Sequence, residues 1–381
     1  VKIEKELSFS PTIHVLDASR SVPVAGSLLG DKKVDFIEKI QKEYQILRDY
    51  HFKKKKEKIY LTIQEARSNK YPIDWKDFKA VKPKLKGIQK INNFSSSEIA
   101  SYIDWTPFFQ TWELHGRYPK ILDDEIVGEE AQKLFKDAQK MLQKAIDKNW
   151  LEVQVVFGFW EAYSIDDDIF ILDESGQQIA VSHSLRQQTK KSSKAYNMSL
   201  ADFIAPKSSD KKDYIGAFVV TAGKNIDEIA KEFENNLDDY NAIMIKAIAD
   251  RMAEAAAEYL HEKVRKKYWG YSKEEELSND DLIREKYKGI RPAPGYPACP
   301  DHTEKTTIFD LLDAQNNVGV SLTESLAMYP ASSVSGWYFS HPESKYFGLG
   351  KIKMDQIKNL SNRKKEEISV MRKWLSPNLD D

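Results

Sequence analysis

Residues 151–172 read LEVQVVFGFWEAYSIDDDIFIL. Val, Ile, Phe and Trp dominate both arms, the types that suit a pleated buried surface, and an acidic turn at 166–168 separates them. The stretch reads as a β-hairpin with arms over 151–163 and 169–172. Working outward, residues 214–222 form another apolar run closed by Gly223 and read as a buried strand. Upstream, Ala131, Leu134, Phe135, Ala138, Leu142 and Ile146 recur at helical spacing, which predicts an amphipathic helix over 128–148. Downstream, residues 226–268 read as a helix or helix pair. The pattern is strongest over 240–264, where Ile243, Ala247, Ile248, Met252, Ala255, Tyr259 and Leu260 keep the period, and Trp269-Gly270 breaks it. Shorter helical stretches are expected at 280–287 and 306–312, then a β-rich region over 322–352 broken by Gly336 and His341-Pro342. Residues 354–375 alternate helix and turn. Strands and helices mix without a regular βαβ beat, so the expected fold class is α+β: one large module with a mainly antiparallel twisted sheet and surrounding helices, not a Rossmann fold.

The amino-terminal part differs in texture. Residues 12–29 combine a short β-rich run with a small-residue linker, and from Asp35 a helical pattern (Phe36, Ile37, Ile40, Tyr44, Leu47) runs into four consecutive lysines at 53–56. The lysines read as a solvated helix end. Residues 70–100 are polar and extended, and lead to an aromatic cluster of Tyr102, Trp105, Phe108, Phe109 and Trp112 that reads as an enclosure. Between 289 and 300, Gly-Ile-Arg-Pro-Ala-Pro-Gly-Tyr-Pro-Ala-Cys-Pro carries four prolines, which fix φ and remove donors, so a rigid irregular loop is expected there.

The 381 residues are 41% hydrophobic and 31% charged, which allows a sizeable core. Lys plus Arg total 58 against 59 for Asp plus Glu, so no global field favours nucleic acid or an anionic membrane. Cys299 is the single cysteine. It excludes an internal disulfide and a thiolate zinc cage and fits a reducing cytosol, so a cytoplasmic location is expected. No signal peptide or membrane span is read. A chain that begins at Val1, just before a strand-like run, reads as a piece of something longer. No Gly-rich strand-to-helix turn, P-loop, zinc motif or nucleophile elbow is present.

Three stretches carry a resemblance. Asp104-Trp-Thr-Pro-Phe-Phe109, continuing through Trp112-Glu-Leu-His-Gly-Arg-Tyr-Pro119, comes first. Arg291-Pro-Ala-Pro-Gly-Tyr-Pro297, with Asp301-His-Thr-Glu-Lys305 behind it, is the most distinctive. Thr323-Glu-Ser-Leu-Ala-Met328, residues 331–340 and Ser344-Lys-Tyr-Phe347 complete the set. In this order they resemble the C-terminal activation domain of cobalamin-dependent methionine synthase. The likeness runs from about Asp35 to the C-terminus, and residues 14–22 are similar to the segment that joins this module to the cobalamin-binding domain. The division implied is residues 1–34 as the tail of that domain and its linker, and 35–381 as the activation domain.

The resemblance implies a module that binds S-adenosylmethionine and positions its methyl group for reductive methylation of cob(II)alamin to methylcobalamin. The cobalamin is held by the adjacent domain and the electron comes from flavodoxin or a flavoprotein reductase. It places Asp104, Arg291, Tyr346, Phe347, Glu254 and Glu285 at the ligand, with Ala293 and Gly295 carried by the loop motif. Each residue type suits a zwitterionic sulfonium nucleoside: a carboxylate for the ammonium, a guanidinium for the carboxylate, an apolar wall for the base. Each also has a plainer role. Asp104 is a candidate helix N-cap, Arg291 a partner for an acid such as Glu285, and Glu254 an exposed helix charge. Tyr346 and Phe347 would alternate on a strand, so one of the two is expected to face the pocket. No catalytic acid, base or metal ligand is expected, because the sulfonium leaves without proton transfer; His302 and His341 are read as structural. A different class of reading is a docking platform for the cobalamin domain and the electron donor, without essential ligand chemistry of its own.

Overall fold

The computed structural model describes residues 12–15, 21–30, 33–56, 59–92, 94–192 and 195–380. Contacts divide the chain into two compact units, residues 1–60 and 61–381. The first contains the helices Ser21–Leu29 and Lys33–Lys56. The small-residue stretch read as a linker is thus helical over 21–29. Pro23 is tolerated there because its missing N–H falls in the first turn, where a helix has no acceptor for it. Residues 12–15 have no regular structure, and the remainder of the strand-like run and linker, 16–20, lies outside the described residues.

The second unit is built on a six-stranded antiparallel sheet: β1 (Gly87–Ile91), β2 (Gln154–Ile165), β3 (Asp168–Leu172), β4 (Gln178–His183), β5 (Asp213–Thr221) and β8 (Ser333–Tyr338), in the order β4-β3-β2-β5-β8. The expected hairpin is β2–β3, registered Ile165 to Asp168 and Glu161 to Leu172. β1 takes the rest of the same edge of β2, from Gly87 opposite Phe159 to Ile91 opposite Val155. A separate pair, β6 (Ser321–Leu322) and β7 (Met328–Tyr329), lies outside this sheet.

The strands are apolar on both faces because both faces are covered. Val155, Phe157, Phe159, Phe218, Val220 and Tyr338 pack toward the helices Gly128–Asp147, Ile226–Asn235 and Asp239–Lys263. Val156, Trp160, Ile215, Ala217, Val219 and Trp337 point the other way, toward the helix Glu304–Leu312 and its neighbours. The period-two alternation is therefore between two cores rather than between core and solvent. The aromatic cluster joins the first core, with Trp105 and Phe135 rings edge-on at 5.1 Å. Burying each such ring contributes on the order of 1.5–3 kcal/mol.

Two expectations need correction. Gly336 lies inside β8 and does not break it; a Cβ there would meet the Pro292 carbonyl oxygen at 2.8 Å, so glycine is what lets the proline loop lie against the strand. Residues 345–350 have no regular structure and join no strand. The peptide N–H of Leu349 is satisfied by the carbonyl of Pro297 at 2.8 Å instead.

Candidate functional site

The site assembles where the proline loop, the long helix Asp239–Lys263 and the turn after Ile103 converge. Asp238 caps the helix by accepting from Asn241 N–H at 3.1 Å, and the body is rich in Ala, the strongest helix former. It runs into a π-helical turn, Val264–Tyr268, and stops at Gly270, whose φ is +85°. The loop is hung on the edge of β8: Ile290 and Phe339 exchange both backbone bonds at 3.0 Å, and Trp337 N–H donates to Pro292 O at 2.9 Å. Pro292 takes part only as an acceptor, the one backbone role a proline keeps. The far end of the loop is fixed by Lys364, whose ammonium lies 2.9 Å from Asp301 and 2.8 Å from Glu304 in a buried ion cluster.

Two adjoining clefts flank Arg291. One, of about 410 Å3, is polar and lined by Asp104, Arg251, Glu254, Glu258, Glu285 and Arg291, with Tyr102, Tyr287 and Tyr296 among the rest of its wall. The other, of about 440 Å3, is more apolar, with Phe218, Ala293, Pro297, Val334, Tyr346 and Phe347. Glu254, Glu285, Arg291 and Tyr296 border both. Of the eight residues expected at a ligand, only Gly295 lines neither. It turns the loop with φ +99° and donates to Cys299 O at 2.7 Å.

Arg291 is held from three sides. Its Nη1 donates to Glu258 Oε2 at 2.6 Å, and its backbone N–H donates to Tyr346 Oη at 2.9 Å. Tyr346 and Tyr287 share a hydroxyl hydrogen bond at 3.1 Å. Burial works against the guanidinium charge, but Glu258, Tyr287 and Tyr346 outweigh it and hold Arg291 well above its ordinary value. The acid that pairs with Arg291 is thus Glu258, not Glu285. Glu285 ends the short helix Asn279–Ile283 in a left-handed conformation, φ +54°, that places it at the cleft. Desolvation raises the carboxyl pKa of both Glu254 and Glu285, against the lowering pull of Arg291.

Asp104 is not the N-cap of the helix Thr106–Thr111, a position held by Trp105 without a side-chain cap; it closes a turn just before the helix instead. Its Oδ1 accepts from Thr106 N–H at 2.9 Å. Among the described residues no cation pairs with its carboxylate, which borders the cleft. Tyr346 and Phe347 both reach the apolar cleft because the segment is not a ladder strand: Tyr346 is fixed by its hydroxyl, and Phe347 packs into the second core. His302 and His341 line neither cleft; His302 lies under Gly295, and the His341 ring packs 4.4 Å from that of Phe78.

Sequence reasoning missed Glu258, Arg251, Tyr287 and Tyr296. A signal for Glu258 existed: Glu254, Glu258, His261 and Arg265 recur at spacings of four, three and four, which puts them on one side of the helix and its π-helical end.

A family model described as vitamin B12 dependent methionine synthase, activation domain, matches residues 95–365. A crystal structure of the MetH reactivation domain bound to AdoHcy is similar to this chain at 52% identity, covering 84% of this chain and 99% of that one with a TM-score of 0.82. A match over most of the chain, with the same α+β fold, means that the chain belongs to the family of activation domains of vitamin B12-dependent methionine synthase.

Proposed function

We propose that the paired clefts bind S-adenosylmethionine and present its methyl group for reductive methylation of cob(II)alamin to methylcobalamin. The observation that carries the reading is the charge of the polar cleft. Asp104, Glu254, Glu258 and Glu285 stand against Arg251 and Arg291, so carboxylates outnumber guanidiniums two to one around a concave site. Such a wall favours a ligand with net positive charge, and a sulfonium carries its charge at every pH. The similar domain bound to AdoHcy supports the ligand class.

In this reading the Asp104 carboxylate takes the ligand ammonium and Arg291 takes its carboxylate. Ala293, Pro297, Val334 and Phe347 receive the adenine, with Glu254 and Glu285 near the sulfonium. The acceptor, a reduced cobalamin held by the neighbouring domain, is a substrate of this module and supplies the nucleophile. The chain's own contribution is position: the leaving group needs no proton, so no residue here serves as acid or base. Residues 1–34 would be the tail of the cobalamin domain and its linker, and 35–381 the activation domain. The electron donor would be flavodoxin or a flavoprotein reductase of the cytoplasm. Docking of such partners on the same face is favoured by Ile283 and Tyr296, 49% and 57% exposed at the cleft.

Titration calorimetry with S-adenosylmethionine tests the reading. A binding heat that disappears in Arg291→Ala is expected, and a wild-type chain that gives none rejects it. Complex formation with a cobalamin domain or flavodoxin in the absence of ligand would instead support a docking platform.

A further inference from the structure

The row of Glu254, Glu258, His261 and Arg265 continues behind the cleft. Arg265 is fully buried, with Nε on Glu275 at 2.7 Å and its guanidinium carbon 4.5 Å from the centre of the Tyr287 ring. Between it and the cleft, Glu258 divides its carboxylate: Oε2 accepts from Arg291 Nη1 at 2.6 Å, and Oε1 lies 3.7 Å from Arg265 Nη1. The remaining guanidinium contacts of Arg291, to His261 Nδ1 at 3.3 Å and Tyr287 Oη at 3.4 Å, fall on that same Nη1. Among the described residues, Nε and Nη2 of Arg291 make no hydrogen bond, and neither is a buried orphan.

A guanidinium gripped at one nitrogen, by a carboxylate that is itself backed by a second guanidinium, has its free edge fixed by that grip. The free edge here is the Nε–Nη2 fork, whose two parallel donors match the two oxygens of a carboxylate. Lysine offers no such edge, and an unrestrained arginine would lose rotamer entropy on forming it.

We propose that Glu258, backed by Arg265, is a positioning residue that turns the Nε–Nη2 edge of Arg291 toward the cleft to receive the α-carboxylate of the ligand. This rests on the S-adenosylmethionine reading above. It assigns the selection of the amino-acid moiety to a pair of residues that need not touch the ligand.

The competing role for Glu258 is a simple contribution to the negative field, and two ligands separate the two roles. S-adenosylmethionine carries a carboxylate and net charge +1; its decarboxylated form lacks the carboxylate and carries +2. Glu258→Asp keeps the charge but withdraws the carboxylate by about 1.5 Å. The expected result is a roughly tenfold loss of affinity for S-adenosylmethionine and less than about a twofold change for the decarboxylated ligand. In Glu258→Gln a field role makes the doubly charged ligand lose more, whereas positioning makes the carboxylated one lose more. The readout is a ratio of affinities measured on one preparation, so an unfolded fraction cancels, and thermal melts accompany both variants. Equal losses for the two ligands, a greater loss for the decarboxylated one, or an unchanged S-adenosylmethionine affinity overturns the inference and leaves the ligand reading standing. A wild-type chain silent toward S-adenosylmethionine overturns that reading and the inference with it.

Discussion

Gly295 stands directly over the imidazole of His302: a Cβ on the glycine would lie 2.5 Å from Cε1, closer than non-bonded carbons approach. The contact sits at the tip of the proline loop, where Gly295 also holds φ at +99°. An alanine there meets both a clash and a disfavoured backbone region. Gly295→Ala is expected to destabilise the second unit by about 1–3 kcal/mol and to weaken ligand binding, since Ala293 and Tyr296 on the same loop line the cleft. Adding His302→Ala removes the clash but not the strain, so it should restore part of the stability. Urea denaturation of the three chains measures this, and a single variant as stable as the wild type refutes the argument.

Asp104 has two jobs that one substitution can separate. Its Oδ1 accepts from Thr106 N–H at 2.9 Å, which an asparagine oxygen does equally well; its charge is what an ammonium would need. Asp104→Asn should therefore leave the melting temperature nearly unchanged while weakening S-adenosylmethionine binding about tenfold, or about 1.4 kcal/mol. Asp104→Ala should lose a further ~1 kcal/mol of fold stability with that turn hydrogen bond. An Asn variant that binds like the wild type would leave Asp104 with the structural role alone.

Much of the frame could be read from the sequence because its signals are local. The β2–β3 hairpin, β5 and the helix Gly128–Asp147 announce themselves by apolar period and by the acidic turn between the hairpin arms. The order of strands could not be read: β1 joins β2 across more than sixty residues and β5 joins β8 across more than a hundred, pairings that leave no local mark. Site residues split the same way. Asp104 and Arg291 stand in distinctive motifs, while Glu258 looked like one more helix charge until the fold put Arg291 against it at 2.6 Å. Glu285 owes its position to a left-handed residue that its sequence context, a glutamate after Arg284, does not signal. The helix over 21–29 was obscured by Pro23 and small residues, which suit a first turn as well as a linker.

Ligand affinity should depend on pH in a window above the ordinary carboxylate range. Burial lifts Glu254, with Arg291 and Arg251 pulling the other way, and burial likewise lifts Glu285. In the free protein these groups therefore take up protons at a higher pH than an exposed glutamate does. A bound cation stabilises their ionised forms and lowers both values again, so binding releases protons wherever the free site holds them. By linkage, affinity is complete above the raised values of the free site and falls as pH drops through them, levelling once the bound-state values are passed. Burial, then Arg265 and Arg291, holds His261 well below its usual value, which favours its neutral form. Calorimetry from pH 7.5 down through the ordinary carboxylate range, to about pH 4, should show this loss in the wild type, by up to about tenfold per pH unit for each group titrating. In Glu254→Gln the affinity at pH 7.5 is lower and the remaining slope is shallower. A wild-type affinity flat across that range would show that neither glutamate faces the ligand charge.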